Sequence, residues 1–516
     1  MSGPRTSVPN GRRRPALRPH GWCVLAAFTL VVASCGGGDT AARSDVDPDG
    51  PRGAAAPSAD RSPDPDNCPL GALEQADGPV EITLWHGMVG LTETTLQEFA
   101  EQYNSSQDRV RVSIEGQGDY EELFTKFTGA VRTDDPVALP NIVLAQDTDT
   151  QFMVDSGAVV AADDCIAADA DAEARYATLA EFVRAAYTVD GLLWPAAFGV
   201  ATPIIYYNRA HLEQAGLDPD DAPGSLEELR ETAEAIKAVR PEGFPVAFRA
   251  DSWWIENLST RQKDELVDND NGRSGLARGS GLLNETVVEV VEWMVDMVDD
   301  GLMTVFANSQ VTEAPFSVIR PGADNSSMLI ETSSAVTTLD ALLGGEIDGD
   351  EIGVQGVDAV ESIDIGVGEL PGPQSAGSGQ VAGNAWYLVD GPDPERIAAA
   401  WDFLRWVTRT PQQVKWTVQG SYLPVWQGAI DDPELQRYFT GSRPGRWLQV
   451  ARDSLETIDP GFPGPLIGPY LELRQASRSA LERILIDGRP VDEELDRADA
   501  SFQTALSDYA RDVDGG

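Results

Sequence analysis

The sequence predicts an α/β fold in which helices cover both faces of a sheet. Three observations predict it. Stretches that alternate apolar and polar residues take turns with stretches of helical spacing, as strand-helix-strand chains do. One later stretch is apolar throughout, as a strand covered on both faces requires. The chain of 516 residues also has 42% hydrophobic residues and 12 tryptophans, enough for a sizeable core in two or three domain-sized units.

The elements follow in order. "VEITLWHG" (80–87) alternates and stops at a glycine, which predicts a first strand. Thr92 to Tyr103 places Leu96, Phe99 and Ala100 at helical spacing. "RVRVSIEG" (109–116) predicts a second strand, "YEELFTKFTGAV" (120–131) a second helix, and "NIVLAQ" (141–146) a buried strand. Ligands of such sheets collect at the carboxyl ends of the strands, here "WHGM", "EGQGDY" and "AQDTDT". Residues 194–230 predict an extended crossing segment, a strand, a short helix, a Pro-rich turn, and a helix with Ser225 at its N-cap and Glu228 in a capping box.

The chain begins differently. Arg5, Arg12, Arg13, Arg14 and Arg18 precede an apolar run from Trp22 to Ala33, the layout of a secretory signal and too short to span a bilayer. Residues 35–66 are rich in Gly, Pro, Ala, Ser and Asp and lack aromatics, so they are expected to form a disordered tether. Ordered structure is expected from near Cys68.

Charge excludes one class of partner. The 38 basic residues face 84 acidic ones, a net charge of -46 that falls by five more once a leader with five arginines and no acid is removed. Nucleic acid is therefore excluded as a partner, and an anionic ligand is mildly disfavoured. Of the four cysteines, Cys68 and Cys165 are expected to pair with each other in an exported protein.

No catalytic motif stands out. His86 and His211 are the only histidines after the leader, and G-x-S-x-G, H-E-x-x-H and a glycine-rich phosphate loop are all missing. "DNDNG" (268–272) fails the spacing of a calcium loop, because Val267 would have to supply the first carboxylate. A secreted glycoside hydrolase is the rival reading, supported only by the abundance of carboxylates. The expectation is a protein without catalytic residues, cofactor or metal. His86 is weighed as structural rather than ligand-binding.

Several separated segments carry a resemblance. Val32, Ala33 and Ser34 ahead of Cys35 resemble a bacterial lipobox, which implies lipidation of Cys35 after removal of residues 1–34. "LWHGM", "YYN" with "AGLDP", "SMLIETSSAVTTL" (327–339), "VAGNAWYLV" (381–389) and "VQGSYLPV" (418–425) resemble family 1 extracellular solute-binding proteins of ABC importers, most of all the glycerol-3-phosphate and sugar-binding branch. The resemblance implies a type II periplasmic-binding-protein fold, two lobes joined by crossing strands around a cleft. It implies lobe 1 at 67–200, lobe 2 at 201–328, a return to lobe 1 at 329–383, and lobe 2 with C-terminal helices at 384–516. The partners it implies are a small solute and ABC permease subunits, with a monomer held at the outer face of the cell membrane by its lipid alone.

Ligand positions carried over from the resemblance are Tyr120, Asp147, Thr202, Trp253, Trp254, Ser333, Ser334, Gly383, Asn384 and Tyr422. Against these stand plainer readings: core aromatics for the tyrosines, a turn for Asp147, a helix cap for Ser333 and Ser334, and packing for at least one of the two tryptophans. One departure matters, since Leu466 stands where the glycerol-3-phosphate-binding relatives have an arginine; Arg474 or Arg320 would have to substitute. This shifts the expected solute from a glycerol phosphate toward a neutral or zwitterionic one, a sugar first. A sensor or adhesion lipoprotein of the same fold is the other alternative.

Overall fold

A computed structural model describes residues 61–88, 90–133, 138–310, 314, 316–319, 325–347 and 363–515. Cys35, the leader and Arg320 lie outside the described residues.

The alternating stretch forms β1 (Val80–His86), which buries Val80, Ile82 and Leu84 and pairs in parallel with both β2 (Val110–Gly116) and β3 (Ile142–Gln146). β3 is buried along almost its whole length. β4 (Val159–Val160) and β7 (Ala197–Ala201) are both antiparallel to β13 (Ala382–Val389), which lies antiparallel to β3. The strand order of this first sheet is β2-β1-β3-β13-β4, with β7 also on β13; β5 (Thr188–Val189) and β6 (Leu192–Leu193) form a separate hairpin.

A second sheet runs β10 (Met303–Phe306), β9 (Phe244–Arg249), β11 (Ser326–Thr332), β8 (Pro203–Asn208), β12 (Ile365–Glu369). Its β9 is parallel to β10 and β11, while β8 is antiparallel to β11 and β12. The two sheets are the centres of two lobes.

Helices sit where apolar spacing puts them. α1 (Gly90–Ser106) buries Leu96, Phe99, Ala100 and Tyr103, and α2 (Tyr120–Arg132) starts at a complete Asp119–Glu122 capping box. α3 (Thr150–Asp155) and α4 (Glu181–Tyr187) belong to the first lobe; α5 (Leu226–Val239) and α6 (Trp253–Gln262) belong to the second. Ser225 caps α5 through the Glu228 N–H at 3.1 Å, but the Glu228 carboxylate accepts from Gly224 N–H at 2.8 Å, so the reciprocal half of the expected box is displaced by one residue. α7 (Pro394–Val407) and α8 (Thr410–Gly420) pack on β1 and α1, whereas α9 (Tyr470–Leu485) and α10 (Val491–Gly515) pair with each other on the second lobe.

Sheet pairing redraws the interior lobe boundaries. Residues 329–383 were expected in lobe 1, yet β11 and β12 complete the second sheet, because Leu329 pairs with Tyr206 and Gly368 with Ile205. The helix Val336–Leu343 between them buries Val336, Leu339, Leu342 and Leu343 in the core shared with the first sheet, as do Leu329 of β11 and Ile365 of β12. Residues 384–516 were expected in lobe 2, yet β13, α7 and α8 belong to the first sheet, and the chain reaches α9 and α10 only after residue 456.

The expected tether also ends earlier than residue 66. Arg61 N–H donates to Asp190 O at 2.9 Å, and Asp164 accepts from Asp64 N–H at 2.7 Å and from Asn67 Nδ2 at 2.9 Å. One residue on, Cys68 is bonded to Cys165 with Cα atoms 5.0 Å apart. No helix among the described residues is long and apolar enough to cross a membrane.

Candidate functional site

The carboxyl ends of β1 and β3 and the start of β13 converge, as the sheet rule requires. Asp147 begins a tight turn after β3 and accepts the Gly383 N–H at 3.1 Å. Tyr120 opens α2, and its buried hydroxyl lies beside Tyr422 and the amide of Asn384. Burial pushes both phenols up. Tyr422 stacks on Trp416 with ring centres 4.8 Å apart, which fixes its ring. The Asn384 side chain accepts from Trp386 Nε1 at 3.0 Å, so its amide N–H groups face inward. Among the described residues the Tyr187 hydroxyl is buried with no hydrogen-bond partner, and the Tyr120 hydroxyl and Asn384 Nδ2, which lie close to each other and to Tyr422, make no well-aligned bond. Buried polar atoms are normally paired, so these are groups a bound molecule would satisfy.

The second lobe answers with charge. Glu256 on α6 accepts from Arg474 Nη2 at 3.0 Å and Nε at 3.2 Å, from Tyr470 Oη at 3.0 Å and from Ser252 Oγ at 2.8 Å. Across the cleft, Arg474 draws the Asp147 pKa down while burial drives it up more strongly, leaving it at about 6. Asp149, buried beside Asp147, is pushed up to about 8. Arg478 binds Asp251 at 3.0 Å within its own lobe and Glu121 of α2 at 2.7 Å across the cleft. A polar cavity between the lobes is lined by Asp147, Tyr187, Arg273, Gln380, Leu466 and Tyr470, among others.

Tyr120, Asp147, Gly383, Asn384 and Tyr422 are thus brought together. Other expected residues go elsewhere. Trp254 is 1% exposed and packs edge-on against Phe248 in the core of the second lobe, because consecutive residues at the start of α6 point in different directions. Trp253 remains half-buried at the helix end. Thr202 and Ser333 are fully buried where β7 passes into β8 and β11 ends. Thr202 N–H donates to Ser333 Oγ at 3.1 Å, Ser333 N–H donates to Thr202 O at 2.9 Å, and the Thr202 hydroxyl joins those of Ser378 and Ser454. These hydroxyls join the crossing segments to each other. Ser334 sits in the turn capped by Thr332, whose Oγ1 accepts its N–H at 3.2 Å. His86 is fully buried, with Nδ1 accepting the Met88 N–H at 3.1 Å.

Arg474, weighed as a substitute cation, is held by Glu256. Glu256, Tyr470, Arg273 and Tyr187 were not anticipated. The available signal was a charge on an apolar stripe: Arg474 follows Tyr470 by four residues and shares its buried face with Leu473 and Leu481.

Two sheets, several crossing segments and a polar cleft with buried under-satisfied hydroxyls define a two-lobed protein that closes on a small polar molecule. The chain belongs to the bacterial extracellular solute-binding protein family, whose profile matches residues 97–440; these are the solute-binding proteins of ABC importers. It is 25% identical over 391 residues to the sn-glycerol-3-phosphate-binding periplasmic protein UgpB of Brucella abortus, covering 72% of this chain and 80% of that one. Among solved structures, UgpB from Mycobacterium tuberculosis in complex with glycerophosphocholine superposes with a TM-score of 0.66 at 21% identity, covering 84% of this chain and all of that one. The cyclic alpha-maltosyl-1,6-maltose binding protein from Arthrobacter globiformis gives a TM-score of 0.61 at 19% identity over 84% of this chain and all of that one.

Proposed function

We propose that this solute-binding protein captures a sugar outside the membrane and presents it to its permease as a monomer anchored through the lipid on Cys35, without catalysing any reaction. The observation that carries the choice of solute is the set of under-satisfied Tyr120, Tyr187 and Asn384 groups around Asp147, beside arginines that are already engaged. Hydroxyls of a sugar both donate and accept, so they satisfy phenols, an amide and a carboxylate together. Contacts from both lobes exist only in the closed form, so the solute shifts the population toward closure.

A glycerol phosphate or glycerophosphodiester is the second reading. It is favoured by the names of the relatives and by Arg273, a cation in the cleft that forms no ion pair among the described residues. A thermal-shift screen with maltose, glycerol-3-phosphate and glycerophosphocholine separates the two, because a solute that binds only the folded state raises its melting temperature. A shift with maltose alone supports the sugar; a shift with a phosphate alone overturns it. Cys35→Ser should release the protein from membranes, and retention there would overturn the anchor.

A further inference from the structure

Residues 269–272 form a backbone turn of the wrong hand. Asn269, Asp270 and Asn271 have φ of 56°, 56° and 55°, and Gly272 has φ of 80°. Consecutive left-handed residues are unfavourable, tolerated best by Asn, Asp and Gly, and persist where the surroundings hold them for a purpose. The surroundings here are specific. Asn271 Oδ1 accepts from Leu266 N–H at 2.7 Å and Val267 N–H at 3.3 Å, and Asn271 O accepts from Leu466 N–H at 2.8 Å. A Cβ on Gly272 would lie 2.4 Å from the Leu466 carbonyl oxygen, so only glycine fits.

What the turn delivers is Arg273. This residue belongs to a segment of the second lobe, yet Nη1 donates to Ala185 O at 3.1 Å and Ala186 O at 3.4 Å, and Nη2 to Ala186 O at 3.3 Å. Both acceptors lie in the last turn of α4 in the first lobe, where helix carbonyls lack intrahelical partners and favour a cation. Its Nε donates to Gly464 O at 2.6 Å, which holds the guanidinium at the mouth of the crossing segment. Ala186 is followed by Tyr187, which lines the same cavity as Asp147 and Arg273.

We propose that Arg273 is a clasp between the lobes: a positioning residue, aimed by the left-handed turn, whose bonds to α4 favour the closed form with or without solute. The proposal rests on the two-lobed solute-binding reading but not on which solute binds. Opening the cleft separates the guanidinium from Ala185 and Ala186. Its removal therefore acts on closure and weakens every solute by a common factor.

The test is solution X-ray scattering of the full chain without solute, comparing wild type with Arg273→Ala and Arg273→Lys, with melting curves to establish that each variant is folded. A larger radius of gyration for Arg273→Ala is expected, with Arg273→Lys in between because lysine keeps the charge but loses the fork. Superimposable solute-free curves would overturn the clasp. Calorimetry with maltose and glycerol-3-phosphate adds a second reading: loss of affinity by about tenfold for whichever probe binds accompanies the expansion. Loss confined to glycerol-3-phosphate, with unchanged scattering, would make Arg273 an anion contact and end the proposal.

Discussion

The Asp147 carboxylate accepts the backbone N–H of Gly383 at 3.1 Å, joining positions 236 residues apart at the edge of the cleft. The contact depends on a backbone that only glycine supplies, since Gly383 has φ of 120° and a Cβ there would sit 2.0 Å from Gly199 O. Gly383→Ala is expected to cost about 2 kcal/mol or more. Denaturant unfolding indistinguishable from wild type would show that β13 relaxes freely around this point.

The neighbouring acids give a pH dependence with a definite sign. Asp147 and Asp149 have pKa values raised from 3.8 to about 6 and about 8. A carboxyl raised in the folded state stabilises it most when protonated, so the contribution is full below the unfolded value and fades as pH rises through about 6 and then about 8. Asp149→Asn should therefore gain in melting temperature relative to wild type between pH 5 and pH 8, by a few degrees, on the order expected for a small free-energy change. A wild-type-minus-variant difference that stays flat across that range would contradict the assignment.

Glu256 and Arg474 are nearly inaccessible, at 3% and 4% exposure. Removing one partner leaves the other charge buried, so Glu256→Ala is expected to destabilise by about 3–5 kcal/mol. Replacing both with apolar residues, Glu256→Leu with Arg474→Met, should cost less than the single change. If the double variant is the less stable of the two in urea titrations, the pair contributes more than its own desolvation.

The two adjacent tryptophans should separate cleanly. Trp254→Ala empties a packed position against Phe248 and is expected to cost about 3–5 kcal/mol. Trp253→Ala, at a half-buried helix end, should change melting far less. Equal losses in the two variants would mean that Trp253 is also core.

Cys68 and Cys165 enclose a loop with a sequence separation of 97. Reducing the bond, or Cys165→Ser, should lower stability by about 2–4 kcal/mol. Unchanged unfolding on reduction would mean that the reduced chain is already restricted there.

The first sheet was legible because β1, β2 and β3 announce themselves locally, by period-two alternation in Val80 to Leu84 and Val110 to Val112 and by the unbroken apolar run of Ile142 to Ala145. Lobe membership of β11, β12 and β13 was not legible, since it depends on partners up to 240 or so positions distant, such as Trp386 beside Leu144. The site divides in the same way. Tyr120 and Asp147 stand at strand ends, where a rule of α/β sheets points. Glu256, Arg273 and Tyr470 stand on helices and a strained turn, where no rule of strand ends applies. Thr202 and Ser333 look like ligand contacts in sequence because small hydroxyls serve a cleft and a crossing point equally well; only their mutual hydrogen bonds decide.

The staple at Cys68 has a mechanical consequence. Residues 61–68 are fixed to the first lobe through Asp164, Asp190 and the disulfide, so a pull on the N-terminal end is borne by that lobe alone. The second lobe is left as the swinging jaw, and a pull applied at Arg61 does not tax its travel.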